Sequence, residues 1–321
     1  MKLLNHNSER VPLHAWVLLF ASIIAVSSAG AVFQMISSVP PLLRASWRLQ
    51  ATALILFPFA VSQYLKSDEE LKSKILDYKN IAIIVGSGFC LWLHFGSWVW
   101  SLDHTTLTRS LLFVTSHPLV IVFGMWFFKK PVDKKSAFGA LIGFMGAAVV
   151  IGGVESEGNA SIIGDFAAFI GAVTVVGYLA AGRILREWMP LFVYAFPVTL
   201  IAAILLAISS LFTEGISISN DIPQLAVFGW LSLTWLPYVV YLAVGPGIVG
   251  HTGINAVLKW FSPLLISVCL VMEPLIGTII GYFLGTTSVP GIWTLFGGII
   301  LIFGTVIVTT AQHQISIVNG E

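Results

Sequence analysis

The sequence predicts an all-α membrane protein whose ten transmembrane helices form two inverted five-helix repeats. Of the 321 residues, 57% are hydrophobic and only 10% are charged, whereas a soluble domain carries roughly a quarter charged residues. Apolar stretches of about 20 residues, long enough to cross a hydrocarbon core, recur along the chain. Similar motifs also recur at an offset of 156 to 158 residues. The first two observations indicate a membrane protein, and the third indicates an internal repeat.

Ten segments are predicted to span the membrane. The first apolar run, 13–37, is longer than the roughly 7–15 residues of a signal-peptide core, so we interpret it as a span. Region 222–258 fits either one span preceded by an interfacial helix or two spans in a row, and the repeat favours the first alternative. The predicted spans are 13–37, 40–65, 80–101, 105–128, 136–153, 162–182, 190–213, 236–258, 262–285 and 290–311.

Two sets of motifs in the same order divide the chain into halves. His117-Pro118-Leu119 is followed by Phe138-Gly139, and Glu273-Pro274-Leu275 by Phe296-Gly297, with a further glycine seven residues after each Phe-Gly pair. Because five helices per half is an odd number, the two halves must have opposite orientations in the membrane. The predicted organisation is an N-terminal segment 1–12, a first repeat 13–153, a linker 154–161, a second repeat 162–311 and a C-terminal segment 312–321.

The distribution of bases agrees with opposite orientations. Segment 129–135 carries four lysines and segment 285–290 none, so the positive-inside rule places the first in the cytoplasm and the second outside. With both termini cytoplasmic, ten spans put 13 of the 16 bases inside, whereas an eleventh span would move Lys259 outside. These bases are Lys2, Arg10, Lys66, Lys72, Lys74, Lys79, Lys129, Lys130, Lys134, Lys135, Arg183, Arg186 and Lys259. The acids predicted outside are Asp103, Glu155, Glu157, Glu214 and Asp221.

The carboxyl half carries motifs of a known family. Gly250-His251-Thr252, Ser262-Pro263 and Glu273-Pro274, followed by the Phe296-Gly297 helix, resemble the second repeat of the EamA-like branch of the drug/metabolite transporter superfamily. Arg48 is similar to the arginine of that family's second helix. The amino half carries the resemblance more weakly. The resemblance implies a ten-helix, two-repeat carrier of a small metabolite.

Charged side chains inside the spans are the first candidates for a binding site. Burying an ionisable group in hydrocarbon costs about 2.5–3.5 kcal/mol, so such groups face a bundle interior or a water-filled cavity. Arg48, His117 and Glu273 lie deepest, and we expect them to flank one central cavity. Glu273 would hold a substrate amine or a proton there; the alternative is a fixed structural ion pair with Arg48.

Two polar pairs with helical spacing complete the set of candidates. His94 with Trp98, and His251 with Asn255, each lie four residues apart and so share one helix face. They would form a cavity wall or bind substrate; the alternatives are packing and hydrogen bonds that join helices. Segment Gly245-Pro246-Gly247 is predicted to break the eighth span above the second pair. The predicted substrate-binding residues are Arg48, His94, Trp98, His117, His251, Asn255 and Glu273.

Two further arginines and several glycines receive structural interpretations. Arg44 and Arg109 are predicted to reach lipid headgroups by snorkelling; the alternative is a basic vestibule for an anionic substrate. The glycines of the Phe-Gly helices, such as Gly139 and Gly146, are predicted to permit close helix contact within the chain, and the alternative is a homodimer face.

Other function classes lack support in the sequence. A net charge of +1 without a basic tract excludes nucleic acid as a predicted partner, and no metal or cofactor is predicted because Cys90 and Cys269 have no ligand spacing. No nucleotide-binding or hydrolase motif is present, and Asp103-His104 is expected to be a solvated loop. The predicted function is secondary transport of a small polar metabolite, of the amino-acid, nucleotide-sugar or organic-anion class, across a lipid bilayer. A non-transporting scaffold with the same fold and, less favoured, a membrane enzyme are the alternatives.

Overall fold

The computed structural model describes residues 11–129, 131–153, 159–257, 260–261, 266 and 269–319, with side chains up to 311. Regular structure in these ranges is helical. The helices are α1 (Leu13–Met35), α2 (Pro41–Leu65), α3 (Glu69–Ile75), α4 (Tyr78–Ser101), α5 (Leu107–Val114), α6 (His117–Phe127), α7 (Lys134–Gly152), α8 (Ile162–Arg186), α9 (Leu191–Thr213), α10 (Leu236–Leu242), α11 (Gly253–Val257), α12 (Glu273–Phe283) and α13 (Ile292–Asn319). Some residues with predicted roles lie outside the described ranges: Lys2, Arg10, Lys130, Glu155, Glu157, Lys259 and Ser262-Pro263.

Six of the described helices are long and apolar enough to cross a membrane: α1, α4, α7, α8, α9 and the 292–311 part of α13. Helices α5 and α6 meet at a bend of 41° and together give a seventh candidate span. The predicted span 105–128 is therefore divided between these two helices. Pro118 explains the bend, because a proline lacks an N–H donor and disfavours helical backbone in the preceding residue. Helix α12 likewise begins at a residue followed by proline, Glu273.

The predicted helix break at Gly245-Pro246-Gly247 does not occur. The chain continues from α10 into a π-helix, Ala243–Thr252, and from there into α11. A Cβ atom on Gly247 would lie 2.6 Å from Oγ1 of Thr52 in α2, and one on Gly250 would lie 2.7 Å from a methyl group of Val26 in α1. The glycines therefore allow close packing of this helix against two neighbours. A π-helical turn of this kind is often found at functional sites.

Residues 222–235 form neither a span nor an α-helix. They contain two short 3₁₀ turns, Pro223–Leu225 and Gly229–Leu231. Side chains of α2 hold this segment: Nε1 of Trp47 donates to the carbonyl of Ala226 at 3.2 Å, and Nε1 of Trp230 donates to Oε1 of Gln50 at 2.9 Å. The segment is apolar because its tryptophans pack against α2.

Glycines join α7 to α13 over most of their lengths. The helices are antiparallel, since Gly139 faces Gly304 and Gly146 faces Gly297. A Cβ atom on Gly146 would lie 2.4 Å from the backbone nitrogen of Leu301. The interpretation of these glycines as intrachain packing residues is confirmed, and this face is not available to a second copy of the chain.

Replacing Gly146 with alanine is expected to lower the free energy of unfolding by about 1–3 kcal/mol, the usual cost of overpacking. The backbone of α13 must move, because a rotamer change cannot relieve a clash with a backbone nitrogen. Gly86→Ala is the matched control, because nothing lies within 4 Å of a Cβ atom there. Thermal unfolding of both variants in detergent checks the prediction, and equal melting temperatures would contradict it.

Hydrogen bonds between helix ends define two faces of the bundle. At one, the carboxylate of Glu214, after α9, accepts bonds from the backbone N–H groups of Leu42 (2.7 Å) and Leu43 (3.0 Å). These N–H groups at the start of α2 lack helical partners, and a carboxylate suits them in charge. At the other face, Oε1 of Gln63 accepts a bond of 2.9 Å from the N–H of Phe192 at the start of α9. We name this second face the lysine face, after its described lysines, and the first the opposite face. These lysines are Lys66, Lys72, Lys74, Lys79, Lys129, Lys134 and Lys135.

Candidate functional site

A cavity inside the helix bundle brings together most of the predicted site residues. Side chains of α1, α4, α5, α6, α8, the π-helix, α11 and α12 line it. Its volume is about 70 Å³, below the roughly 300–1,000 Å³ of ordinary ligand pockets. We name it the central cavity. Six of the seven predicted substrate-binding residues line it: His94, Trp98, His117, His251, Asn255 and Glu273.

The seventh predicted residue, Arg48, lines a smaller neighbouring cavity of about 20 Å³, which we name the side chamber. The expectation that Arg48 and Glu273 flank one cavity is therefore wrong for Arg48. Its guanidinium carbon lies 4.5 Å from the ring centroid of Phe95, and this cation–π contact holds it on the side-chamber wall. Three residues line both cavities, which places the cavities next to each other: Tyr178, His251 and Asn255.

Several buried polar atoms at the two cavities lack a hydrogen-bond partner among the described residues. They are Nε and Nη1 of Arg48, Nε1 of Trp98 and Nε2 of His117. A buried polar atom without a partner costs about 1–3 kcal/mol, so native proteins satisfy nearly all of them. Water or a polar ligand in the cavities would satisfy these atoms.

Arg48 and Glu273 give the two cavities charges of opposite sign. Arg48 is buried and Glu273 is partly buried, and each lies within the other's electrostatic field. No nitrogen–oxygen contact within 4.0 Å joins them, in contrast to the ion pairs found elsewhere in the described part of the chain. The alternative role of Glu273 as a direct ion-pair partner of Arg48 is therefore wrong in this conformation. Each charge remains available to a further partner.

The histidines of the central cavity are held by aromatic and backbone contacts. Nδ1 of His94 donates a hydrogen bond of 2.9 Å to the carbonyl of Gly171, which leaves Nε2 as the acceptor in the neutral ring. The ring of His94 stacks on Trp98 at 6.1 Å and lies 6.4 Å from the ring of His251. His94 and Trp98 therefore lie on the same wall of the central cavity.

Tyr178 of α8 is a site residue that sequence reasoning missed. Nδ2 of Asn255 donates to its hydroxyl at 2.8 Å and also to the carbonyl of His251 at 2.9 Å. The first bond joins α8 to α11. Asn255 therefore connects two helices and also lines both cavities. No pattern in the sequence distinguishes Tyr178 from other apolar positions of α8, because its partner lies 77 residues away.

Arg44 and Arg109 do not snorkel to lipid headgroups. Both side chains are fully buried, and each forms an ion pair with a carboxylate. Arg109 binds Asp165 through Nε (3.1 Å) and Nη2, and its Nη1 donates to the carbonyl of Val150 at 2.6 Å. The prediction failed because the partner, Asp165, belongs to a different predicted span. An acid in an apolar segment is a signal that could have indicated this pair.

Asp103 is also more than a solvated loop residue. It lies in the turn after α4 and forms an ion pair with Arg44, although 24% of its side chain remains exposed. The alternative of a basic vestibule fails for the same reason, because both arginines are neutralised by carboxylates. The neighbouring His104 stacks on Trp100 at a centroid distance of 3.5 Å.

Comparison with known proteins gives a family for the amino half of the chain. Residues 13–152 match the family model described as the EamA-like transporter family. The motifs discussed above place the stronger resemblance in the carboxyl half, whereas the match covers the amino half. No curated protein matches the sequence at a significant level.

Solved structures share the fold. A crystal structure described only as that of a protein has a TM-score of 0.61 and 18% sequence identity to this chain. The likeness covers 94% of this chain and 98% of the other. At this low identity it concerns the fold alone.

The long apolar helices make the protein an integral, multi-pass membrane protein. Residues 13–152 match the model of the EamA-like transporter family, a family of the drug/metabolite transporter superfamily.

Proposed function

We propose that the protein is a secondary transporter that carries a small polar metabolite by alternating access around the central cavity and the side chamber. One observation carries the proposal: six of the seven polar or aromatic residues singled out within apolar segments line one cavity, in a chain with a transporter-family amino half. Intramembrane ionisable groups are costly and usually functional. The unpaired atoms of Arg48, Trp98 and His117 give a polar ligand its hydrogen-bond partners.

The proposed architecture is ten spans in two inverted five-helix repeats. If the seven-residue helix α3 is left out, and α5 with α6 and α10 with α11 are each taken as one span, the helices correspond to ten spans. Two observations support the repeat. His117 and Glu273, which occupy equivalent motif positions, each begin a helix inside a span. The equivalent helices α7 and α13 pack antiparallel through equivalent glycines, as a two-fold axis in the membrane plane requires.

The proposed orientation places the lysine face and both termini in the cytoplasm, in line with the positive-inside rule. The side of the membrane on which segments 129–135 and 285–290 lie tests it. Single-cysteine variants at Lys134 and Ser288, in a background without Cys90 and Cys269, would be labelled with a membrane-impermeant thiol reagent. Labelling of both positions from the same side would contradict the inverted repeat.

Among the three predicted substrate classes, the geometry favours a metabolite with both an anionic and a cationic group, such as an amino acid. Arg48, with the hydroxyl group of Thr199, provides an anion-binding wall in the side chamber. Glu273 and the aromatic face of Trp98 provide a cation-binding wall in the central cavity. A purely anionic metabolite would leave Glu273 uncompensated.

The volumes of the cavities imply that they widen when substrate binds. About 70 and 20 Å³ hold a few water molecules, whereas a metabolite needs several times as much space. The proposed cycle therefore includes a closed conformation with little free volume, from which either face opens.

Transport by purified protein in liposomes tests the proposal. Uptake of amino acids, nucleotide sugars and organic anions would be measured against protein-free liposomes, and we expect saturable uptake of a zwitterionic member. Chemical conversion of a panel member would favour an enzyme. Lack of uptake and of ligand-induced thermal stabilisation across the panel would favour the non-transporting scaffold, since a ligand that binds the folded state raises its melting temperature.

A further inference from the structure

A polar cleft opens at the opposite face and contains none of the predicted site residues. Its volume is about 570 Å³, eight times that of the central cavity. Asp103 is the charged residue among its described lining residues, and the other polar groups are amides and hydroxyls. These groups come from the last turn of α1 (Gln34), the turn after α4 and the start of α5 (Thr105, Thr106 and Thr108), the segment before α8 (Asn159) and the turn after α12 (Thr286).

Three helices pass from this polar cleft to the central cavity. On α5, Leu107 lines the cleft and Val114 lines the cavity; at 1.5 Å per residue they are about 10 Å apart along the helix. On α1, Ala29 lines the cavity and Gln34 the cleft. Helix α12 begins at Glu273 on the cavity and runs toward the cleft. A layer about two helical turns thick therefore separates the two spaces.

The layer consists mainly of leucines of α5 packed on glycines of α1 and α12. A Cβ atom on Gly30 or Gly281 would lie 2.6 or 2.5 Å from the methyl groups of Leu107. A Cβ atom on Gly277 would lie 2.5 Å from a methyl group of Leu111. Both leucines are fully buried. We name this contact between Leu107, Leu111 and the three glycines the septum.

Among the described residues, one side-chain hydrogen bond crosses the septum, at 2.9 Å between the hydroxyl groups of Thr108 in α5 and Thr278 in α12. Other contacts hold the helices on either side of the septum. Helix α5 is held to α8 by the buried ion pair of Arg109 with Asp165. Helix α12 is packed on α1, since a Cβ atom on Gly277 would lie 2.8 Å from the carbonyl oxygen of Ser27.

We propose that the septum is the gate between the central cavity and the opposite face, and that the polar cleft is the mouth to which it opens. The gate separates α5, which moves with α4 and α8, from α1 and α12. Apolar contacts between leucine and glycine are suited to this, because they can part without leaving a buried charge unpaired. The proposal rests on the transport function proposed above.

Cross-linking tests the proposed motion. Thr108→Cys and Thr278→Cys, in a background without Cys90 and Cys269, replace two hydroxyl groups 2.9 Å apart, a separation at which a disulfide is feasible. We expect oxidation to reduce liposome uptake about tenfold or more, because a closed gate stops the cycle, and a reductant to restore it. The matched control is Ser101→Cys with Ser110→Cys, whose hydroxyl groups lie 2.6 Å apart between α4 and α5. This disulfide should leave uptake unchanged.

A second measurement does not require transport. A cysteine at Thr115, which lines the central cavity, would be labelled by an impermeant thiol reagent added at the opposite face. We expect Leu111→Ala to raise the labelling rate about tenfold, since it thins the septum. Leu112 is also buried but packs on Gly298 instead, so Leu112→Ala should not change the labelling rate.

The outcomes separate the gate from the transport proposal. Unchanged uptake after formation of the Thr108–Thr278 disulfide, or equal labelling in the Leu111 and Leu112 variants, would overturn the gate. If the unoxidised protein transports none of the compounds, the transport proposal fails, and the labelling rates alone decide whether the septum is the barrier.

Discussion

Replacing Asp165 with asparagine is expected to lower the free energy of unfolding by about 3–5 kcal/mol, because it removes a carboxylate that pairs with the buried Arg109 guanidinium. The side chains of Arg109 and Asp165 are 0% and 2% exposed, so water cannot replace the lost charge. Asp165 also accepts a hydrogen bond of 2.7 Å from the hydroxyl of Thr105. Chemical denaturation in detergent micelles, followed by tryptophan fluorescence, measures the effect.

Two comparisons make this prediction specific. Removing both partners, with Arg109→Met and Asp165→Leu, should restore much of the lost stability, since an apolar pair replaces a buried ion pair at little cost. Asp103→Asn should cost less than Asp165→Asn, because the Asp103 side chain is 24% exposed and water can reach the pair with Arg44. A double variant less stable than both single variants, or equal losses for the two aspartates, would contradict the buried-pair account.

Glu273→Gln is expected to reduce transport of the best zwitterionic compound by about 100-fold or more with normal folding. Loss of a charge-assisted contact worth about 3 kcal/mol changes an equilibrium by that factor. Glutamine keeps the size of the side chain, so the cavity shape and the start of α12 should not change. Uptake in liposomes and melting temperature, measured on the same preparations, separate lost binding from lost folding.

Variants of the two charged residues should lose binding of different ligands. If Arg48 binds the anionic group and Glu273 the cationic group, Arg48→Gln should still bind the carboxamide analogue of the zwitterion. Glu273→Gln should still bind its N-acetyl analogue. Thermal stabilisation by each analogue measures binding without transport. Loss of both analogues from both variants would exclude separate binding of the two groups, and unchanged uptake would remove Glu273 from the site.

Much of the candidate site was predictable because polarity inside a membrane is conspicuous in a sequence. His94, Trp98, His117, His251, Asn255 and Glu273 attract attention as polar or amphipathic groups in apolar segments, and all six line the central cavity. Tyr178 was not predictable, since a tyrosine in an apolar helix has the same appearance whether it packs against lipid or binds Asn255. Its role depends on a contact between helices distant in sequence.

For the charged residues too, the sequence indicates some properties and not others. The depth of Arg48, Arg44 and Arg109 in apolar segments could be read from the sequence, because depth follows from position along a span. Their partners could not be read in this way. Arg109 meets Asp165 and Arg44 meets Asp103 only when α5 packs on α8 and α2 on α4. Arg48, alone of the three, has no carboxylate within 4.0 Å among the described residues.

Apolar composition and span length are properties of single segments, so they indicate without any structure that the chain is helical and lies in a membrane. The positions of polar residues within these segments indicate in the same way which of them lie inside the bilayer. The packing of the helices is needed to show which of these residues share a cavity, which arginines are neutralised and where leucines packed on glycines close off the polar cleft. These properties depend on contacts between helices that are far apart in the chain, and the hydrophobic pattern of one helix does not specify its neighbours.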